Sequence, residues 1–318
     1  MKVIDFETIK KFAENQDPNE WYRWVEYALK HKSDFEMPPK SRISQSNGNY
    51  FNIMPVLYNE KNIAMVKMIG RHNLLPGEKR SSMMGDIMLY QASTGILKTI
   101  MDAEYITTLR TGAVAAHSAK LFANKDAKVY GLIGLGNIMT VCFKTLMSQL
   151  DANVDLIVKL YKHHDQEVRF ANKFSYLKNV KFVFCDTYEE VISNSDVIIS
   201  AVTKATKNFA SDDYFKKGVT VIPICTMGFQ NCDLFFDKVF TDEIDEIRGF
   251  KYFNQFKSID NITDVLNKRV LGRENDEERI IVYNYGIAIH DLYFALKFNE
   301  SLEGQEIDYR TPTEKYFM

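Results

Sequence analysis

Gly134 and Gly136 stand in the run Gly134-Leu135-Gly136-Asn137-Ile138-Met139, directly after the short apolar segment 128–133 and ahead of a helical pattern reaching about residue 149. In that context the first glycine allows a tight turn out of a strand, and the second lets a pyrophosphate approach the backbone. The helix that follows offers free N–H groups and a positive dipole end. Gly134, Gly136, Asn137 and Ile138 are therefore expected to cradle a dinucleotide, with a plain strand-to-helix turn as the competing reading. Met139 takes the place of a third glycine, which implies wider helix–strand spacing. The next strand ends Tyr161-Lys162-His163-His164, where an NAD site usually carries an acid for the ribose hydroxyls. Lys162 and His163 would instead attract a 2′-phosphate. The expected cofactor is NADP(H) in preference to NAD(H), unless this is simply a solvated basic turn. Thr203, just past the apolar run 197–200, falls at the edge of the same crevice.

Other chemistry is poorly supported. Cys142, Cys185, Cys225 and Cys232 form no Cys-x-x-Cys pair and have no nearby histidine in a zinc pattern, so they read as buried, reduced thiols and no metal is expected. Lys and Arg number 40 against 42 Asp and Glu, for a net charge of −2, and with no Lys/Arg-rich block nucleic acid is not an expected partner. The first residues are charged and mixed, unlike a secretory leader. No apolar run approaches the ~20 residues that cross a bilayer. A cytoplasmic location and no membrane partner are expected. Aromatic residues make up 13% of the chain, enough to suggest large buried surfaces and a subunit interface.

With 318 residues, two domains are expected. Asp17-Pro18-Asn19-Glu20 is a helix start, and Trp21, Trp24, Val25 and Leu29 follow at helical spacing as a core stripe. Pro38-Pro39 begins an extended region. Residues 50–56 and 63–69 read as strands around a polar turn, and 86–90 with 96–101 as a hairpin around Ser93-Thr94-Gly95. Asp102 caps a helix to about Phe122, whose small residues from Gly112 to Ala119 let another element approach closely. Beyond residue 125 the pattern changes. Apolar runs at 128–133, 156–160, 180–184, 196–200 and 219–222 alternate with helices at roughly 164–176 and 187–193, the mark of a doubly wound parallel sheet. Residues 280–283 read as a strand, followed by a helix to about 299. The expected fold is α/β: a Rossmann-type parallel sheet, residues 123–279, inserted into a second α+β domain built from 1–122 and 280–318.

The segment from Met101 through Arg110-Thr111-Gly112-Ala113 to Ala116-His117-Ser118-Ala119-Lys120 resembles the signature helix of the ornithine cyclodeaminase/mu-crystallin family. Lys40-Ser41-Arg42, Phe51-Asn52-Ile53-Met54-Pro55, Val66-Lys67-Met68-Ile69-Gly70 and Ser93-Thr94-Gly95 resemble it in the same order, as do the Gly134 loop, Gly272-Arg273-Glu274 and the run Gly286 to Asp291. The resemblance implies a substrate-binding and dimerisation domain flanking the nucleotide domain, hence a homodimer. It implies an NAD(P)(H)-dependent oxidoreductase acting at the nitrogen-bearing carbon of a small amino acid, with the matching imine, or 2-oxo acid plus amine, on the other side. Amino acid dehydrogenases, imine reductases, amino-acid conjugate synthases and ornithine cyclodeaminases all fall within the family, and Gly272 to Glu278 looks closest to the conjugate branch.

By the same resemblance, Arg42, Lys67 and Arg110 bind the substrate carboxylate, Lys67 and Arg110 being the catalytic pair. Two guanidinium forks and an ammonium suit that task. Lys67, if desolvated on its strand, could also move a proton. Lys40 is the alternative to Arg42. Surface charge is the competing reading for Arg42 and Lys67, and a structural salt bridge for Arg110. Ser82 and Thr111 match positions near the nicotinamide or phosphates. Gln230 falls where cyclodeaminases carry an acid, and an amide cannot act as a base. Asp233 could substitute only in a rearranged loop. Ornithine cyclisation is thus the second reading, and a non-catalytic NADPH-binding protein of mu-crystallin type the third.

Overall fold

The computed structural model describes residues 1–224, 228–229 and 234–315. The chain opens with β1 (Lys2–Ile4), α1 (Phe6–Glu14) and α2 (Pro18–Lys30), followed by β2 (Phe35–Glu36), β3 (Ser41–Ser44), β4 (Tyr50–Tyr58), β5 (Ile63–Arg71), β6 (Met83–Gln91), β7 (Ile96–Asp102) and α3 (Glu104–Phe122). There follow β8 (Val129–Ile133), α4 (Asn137–Met147), β9 (Leu156–Tyr161), α5 (Gln166–Lys173), β10 (Val180–Cys185), α6 (Tyr188–Ile192), β11 (Val197–Ser200) and β12 (Thr220–Pro223). The last part holds β13 (Lys238–Thr241), α7 (Ile244–Ile247), β14 (Ile259–Asn261), α8 (Ile262–Leu266), β15 (Ile280–Tyr283), α9 (Ala288–Ser301) and β16 (Gln305–Glu306).

Two compact units result. Unit 1 comprises Met1–Asp17, His31–Thr107 and Ile287–Met318; unit 2 comprises Pro18–Lys30 and Thr108–Gly286. Unit 1 is a mixed sheet in the order β16-β1-β7-β6-β5-β4-β2, with β3 also on β4. Its long strands alternate: Met54, Val56 and Tyr58 on β4, Met65, Lys67 and Ile69 on β5, and Ile87 and Leu89 on β6 are buried on one face. Helix α9 packs over that face against β4 and β5, and Phe12 of α1 meets Phe298 of α9 edge to face. The other face shows Ile43, Phe51, Ile53, Met68 and Met84, with Ile43, Met68 and Met84 exposed.

Unit 2 is an all-parallel sheet in the order β10-β9-β8-β11-β12-β15-β13-β14. The strands β11, β12 and β15 are buried along their whole length, as a sheet covered on both faces requires. Strand order reverses on either side of β8, which makes the carboxyl ends of β8, β9 and β11 a topological switch point.

The structure moves the domain borders read from sequence. Residues 280–283 belong to the parallel sheet, where β15 lies between β12 and β13. Four consecutive buried apolar residues fit a central parallel strand and not a half-exposed antiparallel one. Helix α2 groups with unit 2 because its apolar stripe faces α4 and α8; Lys144 of α4 lies over the Trp21 ring at 5.2 Å. Helix α3 passes from one unit to the other near Thr107. The strands β1, β13 and β14 are too short to stand out in the sequence, whereas α1, capped by Asp5 and burying Ile9 and Ala13, is a helix the sequence reading passed over.

Candidate functional site

The best-formed feature of unit 2 is the turn after β8. Gly134 has φ +82°, and a Cβ there would lie 2.8 Å from the backbone of Ala201 and Val202, so only glycine allows β11's exit to pass this close. Gly136 is the N-cap of α4 and supplies no side-chain cap; a Cβ there would meet nothing within 4 Å. The start of α4, at Asn137 and Ile138, thus carries no side-chain cap, the arrangement that accepts an anion. Met139, in the third glycine position, is fully buried in the core. A cleft of about 250 Å³ opens at this point, lined by Gly134, Gly136, Tyr161, His163, Gln166, Tyr188, Thr203 and Lys204 among others. Of the residues expected at a dinucleotide, Gly134, Gly136, His163 and Thr203 therefore share one cavity. The open cradle and uncapped helix fit a pyrophosphate.

Lys162, next to the cleft, is exposed and bonds Asp186 at 2.8 Å. That hydrogen bond raises its pKa, so the group stays cationic. The backbone N–H of His163 donates to Glu167 at 3.0 Å. Tyr161 and Tyr188 stack with ring centroids 4.1 Å apart, and burial pushes the Tyr188 hydroxyl up to about 12. These two tyrosines, Gln166 and Lys204 went unsingled by sequence reasoning. Their signal is position: each lies at or shortly after the carboxyl end of β9, β10 or β11.

Helix α3 brings two more expected residues into unit 2. A Cβ on Gly112 would lie 2.7–2.8 Å from Val141, Cys142 and the Ile138 carbonyl, so the element that the small residues admit is α4, the helix of the glycine turn. Thr111 is the neighbouring residue on α3, half-buried. Arg110 is buried, and its guanidinium is pressed against Gly286: a Cβ there would come within 2.8 Å of Nη1. Gly286 has φ +88°, and Asp242 holds its turn by accepting from the Tyr285 and Gly286 N–H groups at 3.1 and 2.8 Å. Gly286 and Asp242 thus shape Arg110's seat.

In unit 1, Arg42 and Lys67 share one sheet face. Arg42 pairs with Asn52, which pairs with Ile69, and Lys67 pairs with Met54 one row away. Two strand spacings and one two-residue step put their Cα atoms roughly 12 Å apart. The Arg42 guanidinium donates to Asn52 Oδ1 at 2.9 Å and stacks 4.1 Å over the Tyr50 ring. Lys40 precedes β3 and is half-buried. Lys67 is no surface charge: it is 0% exposed and donates to Asp291 Oδ1 of α9 at 2.6 Å, the acid being equally buried. Ser82 stands at the base of the β5–β6 hairpin, where its carbonyl accepts from His72. Gln230, Asp233, Cys225 and Cys232 lie outside the described residues. Cys142 and Cys185 are free and buried, and burial raises both thiol pKa values.

A parallel sheet with a glycine turn and open helix start at its switch point defines an α/β fold of the Rossmann class. The chain belongs to the ornithine cyclodeaminase/mu-crystallin family, whose profile matches residues 3–306. Among similar proteins, the N-((2S)-2-amino-2-carboxyethyl)-L-glutamate dehydrogenase of Staphylococcus aureus is 25% identical over 297 residues, covering 86% of this chain and 87% of its own. The alanine dehydrogenase of Archaeoglobus fulgidus is 26% identical over 275 residues, 82% of each chain. The solved Δ1-pyrroline-2-carboxylate reductase of Thermococcus litoralis, with NADH and L-proline, superposes with a TM-score of 0.81 at 18% identity, over 96% of this chain and 100% of that one.

Proposed function

We propose that this chain is an NAD(P)(H)-dependent oxidoreductase acting at the nitrogen-bearing carbon of a small amino acid, in the direction of the amino acid or of its imine. The observation that carries the reading is the sheet face of unit 1. Lys67 places an ammonium in an inward row that the strand period otherwise fills with Met54, Met65, Ile69 and Ile87, and the exposed guanidinium of Arg42 stands on the same face. Similarity to a dehydrogenase of an amino-acid conjugate and to an alanine dehydrogenase supports the substrate class. In this reading Arg42, Lys67 and Arg110 hold the carboxylate, Arg42 and Arg110 as bidentate forks and Lys67 as a point charge. Fixing the carboxylate orients the neighbouring carbon, and orientation is most of what a protein adds to such a step. The nicotinamide, when bound, gives or takes the hydride. Gly134, Gly136, Asn137 and Ile138 hold the pyrophosphate, with Thr203 along the crevice and Ser82 and Thr111 toward the nicotinamide end. Gln230 serves the substrate side chain as a neutral hydrogen-bonding group.

NADP(H) is the cofactor we assign, because the carboxyl end of β9 carries Lys162 and His163 in place of an acid. A 2′-phosphate would take over part of Lys162's bond to Asp186. The protein is assigned to the cytoplasm, where buried thiols such as Cys142 and Cys185 stay reduced; no helix among the described residues is long and apolar enough to cross a membrane. A second copy of the chain is assigned to the apolar outer face of the unit 1 sheet, giving a homodimer.

Calorimetric titration with NADPH and NADH tests the cofactor assignment. Tighter NADPH binding that is lost in Lys162→Ala is expected, and a clear NADH preference contradicts it. Arg110→Ala is expected to abolish turnover of imines and amino acids with cofactor affinity near that of the wild type. Unchanged turnover removes Arg110 from the site.

A further inference from the structure

The inward face of β5 is an expensive place for a charge. Lys67 sits in register with Met54 on β4 and Ile87 on β6, between Met65 and Ile69 on its own strand, all four buried. An ammonium stripped of water in such a wall needs a counter-charge at hydrogen-bond distance. It has one in Asp291, 224 residues away in sequence, in the first turn of α9. A pair of this kind seldom stabilises a fold more than two apolar side chains of the same volume would. We propose that Asp291 is a positioning residue: it fixes Lys67 Nζ, and keeps it an ammonium, for the substrate carboxylate.

The inference rests on Lys67 belonging to the carboxylate site. Its physical content is separate. Lys67 hangs on four rotatable carbons, so without an anchor its ammonium would fold away along the sheet or lose its proton to the apolar surroundings. Asp291 comes from a helix packed against both β4 and β5, and a carboxylate held rigidly there sets one of the three Nζ–H directions. The other charged or titratable groups on the faces around Lys67 are Arg42 on β3, Tyr50 and Tyr58 on β4, Arg71 on β5 and His290 beside Asp291 on α9. Of these, Arg42 and Arg71 are cations, which would favour the neutral amine; Asp291 opposes them.

Two readouts test this on the full-length protein. The first is the titration of the Lys67 ammonium, followed by NMR with nitrogen-labelled lysine, in the wild type and in Asp291→Asn. It needs no ligand. The second is the affinity, with NADPH present, for pyrrole-2-carboxylate, a planar carboxylate that resembles a cyclic imine and resists reduction. In Asp291→Asn the Lys67 titration is expected to fall by about one pH unit or more. Affinity for the analogue, and turnover of Δ1-pyrroline-2-carboxylate, should fall about 100-fold with NADPH affinity unchanged. Asp291→Glu should restore part of both.

An unmoved Lys67 titration, or analogue affinity within twofold of wild type, overturns the positioning role. Loss of binding in Lys67→Met would then leave the carboxylate site standing without it. Should Lys67→Met bind the analogue normally, the carboxylate assignment itself falls and the positioning role with it. If Asp291→Asn does not fold, Asp291→Ser, which also removes the carboxylate, carries the same two readouts, wild-type values in both counting against the proposal. The double variant Lys67→Met/Asp291→Leu completes the test: folded and inactive is expected, whereas folded and active makes the pair a core contact and nothing more.

Discussion

Gly286 shows how tightly single residues are constrained around the cations. Its positive φ and the Arg110 guanidinium leave no room for a methyl group. Gly286→Ala is expected to cost about 1–2 kcal/mol in the left-handed backbone alone. It should also push Arg110 from its seat, lowering kcat/KM on imine substrates by more than the stability loss accounts for. Thermal melting beside steady-state kinetics checks both. Arg42, Lys67 and Arg110 stand out in the sequence as candidates because each sits in a short run matching a family motif. Asp291 was visible within such a run, yet nothing local tells that it meets Lys67, since that contact is made by α9 folding back onto β5. Gly286 and Asp242 are equally silent: a turn's φ and the acid that ties it down are set by chain segments 40 residues apart or more.

Helix α4 and its turn are a local device, which is why the sequence displays them so clearly: strand, glycines and helix follow one another within a few residues. The uncapped N-terminus gives a two-sided prediction. Gly136→Asp supplies the missing cap and should raise thermal stability by a few tenths of a kcal/mol, while placing negative charge at the pyrophosphate. NADPH affinity should fall at least about tenfold; an unchanged affinity in calorimetry would remove α4 from the cofactor site. Helix α3 carries a second testable group. His117 is buried with its ring 4.9 Å from that of Tyr22 on α2, and neither ring nitrogen finds a hydrogen-bond partner. Burial depresses its pKa from 6.5 to about 4. Because the unfolded chain takes up the proton first, stability is lost as the pH falls from about 6.5 toward 4, by at most about 3 kcal/mol. His117→Leu is expected to flatten that part of the denaturation-against-pH curve. By contrast with α4, the placement of β15 could not be read from its own residues. A buried apolar tetrapeptide fits either unit, and only long-range pairing with β12 and β13 decides.

At the scale of the whole molecule, the parallel sheet was legible from the alternation of apolar runs and helices, while the borders of the two units were not, because α2 and β15 join the sheet unit from both outer stretches of sequence. The outer face of the unit 1 sheet, with Ile43, Met68 and Met84 exposed, is the surface assigned to a second copy. Met68→Glu, or Ile43→Glu with Met84→Glu, is expected to shift the protein to a monomer in light scattering without changing its circular dichroism. A dimer that survives both would place the contact elsewhere. The most direct test of the central assignment is turnover itself: purified protein with NADPH or NADH, offered Δ1-pyrroline-2-carboxylate, pyruvate with ammonium, and small amino acids with the oxidised cofactors, followed at the nicotinamide absorbance band. Hydride transfer with at least one of these carboxylates, abolished in Arg110→Ala while cofactor still binds, is the predicted result. Tight cofactor binding with no turnover of any imine, 2-oxo acid or amino acid would contradict it.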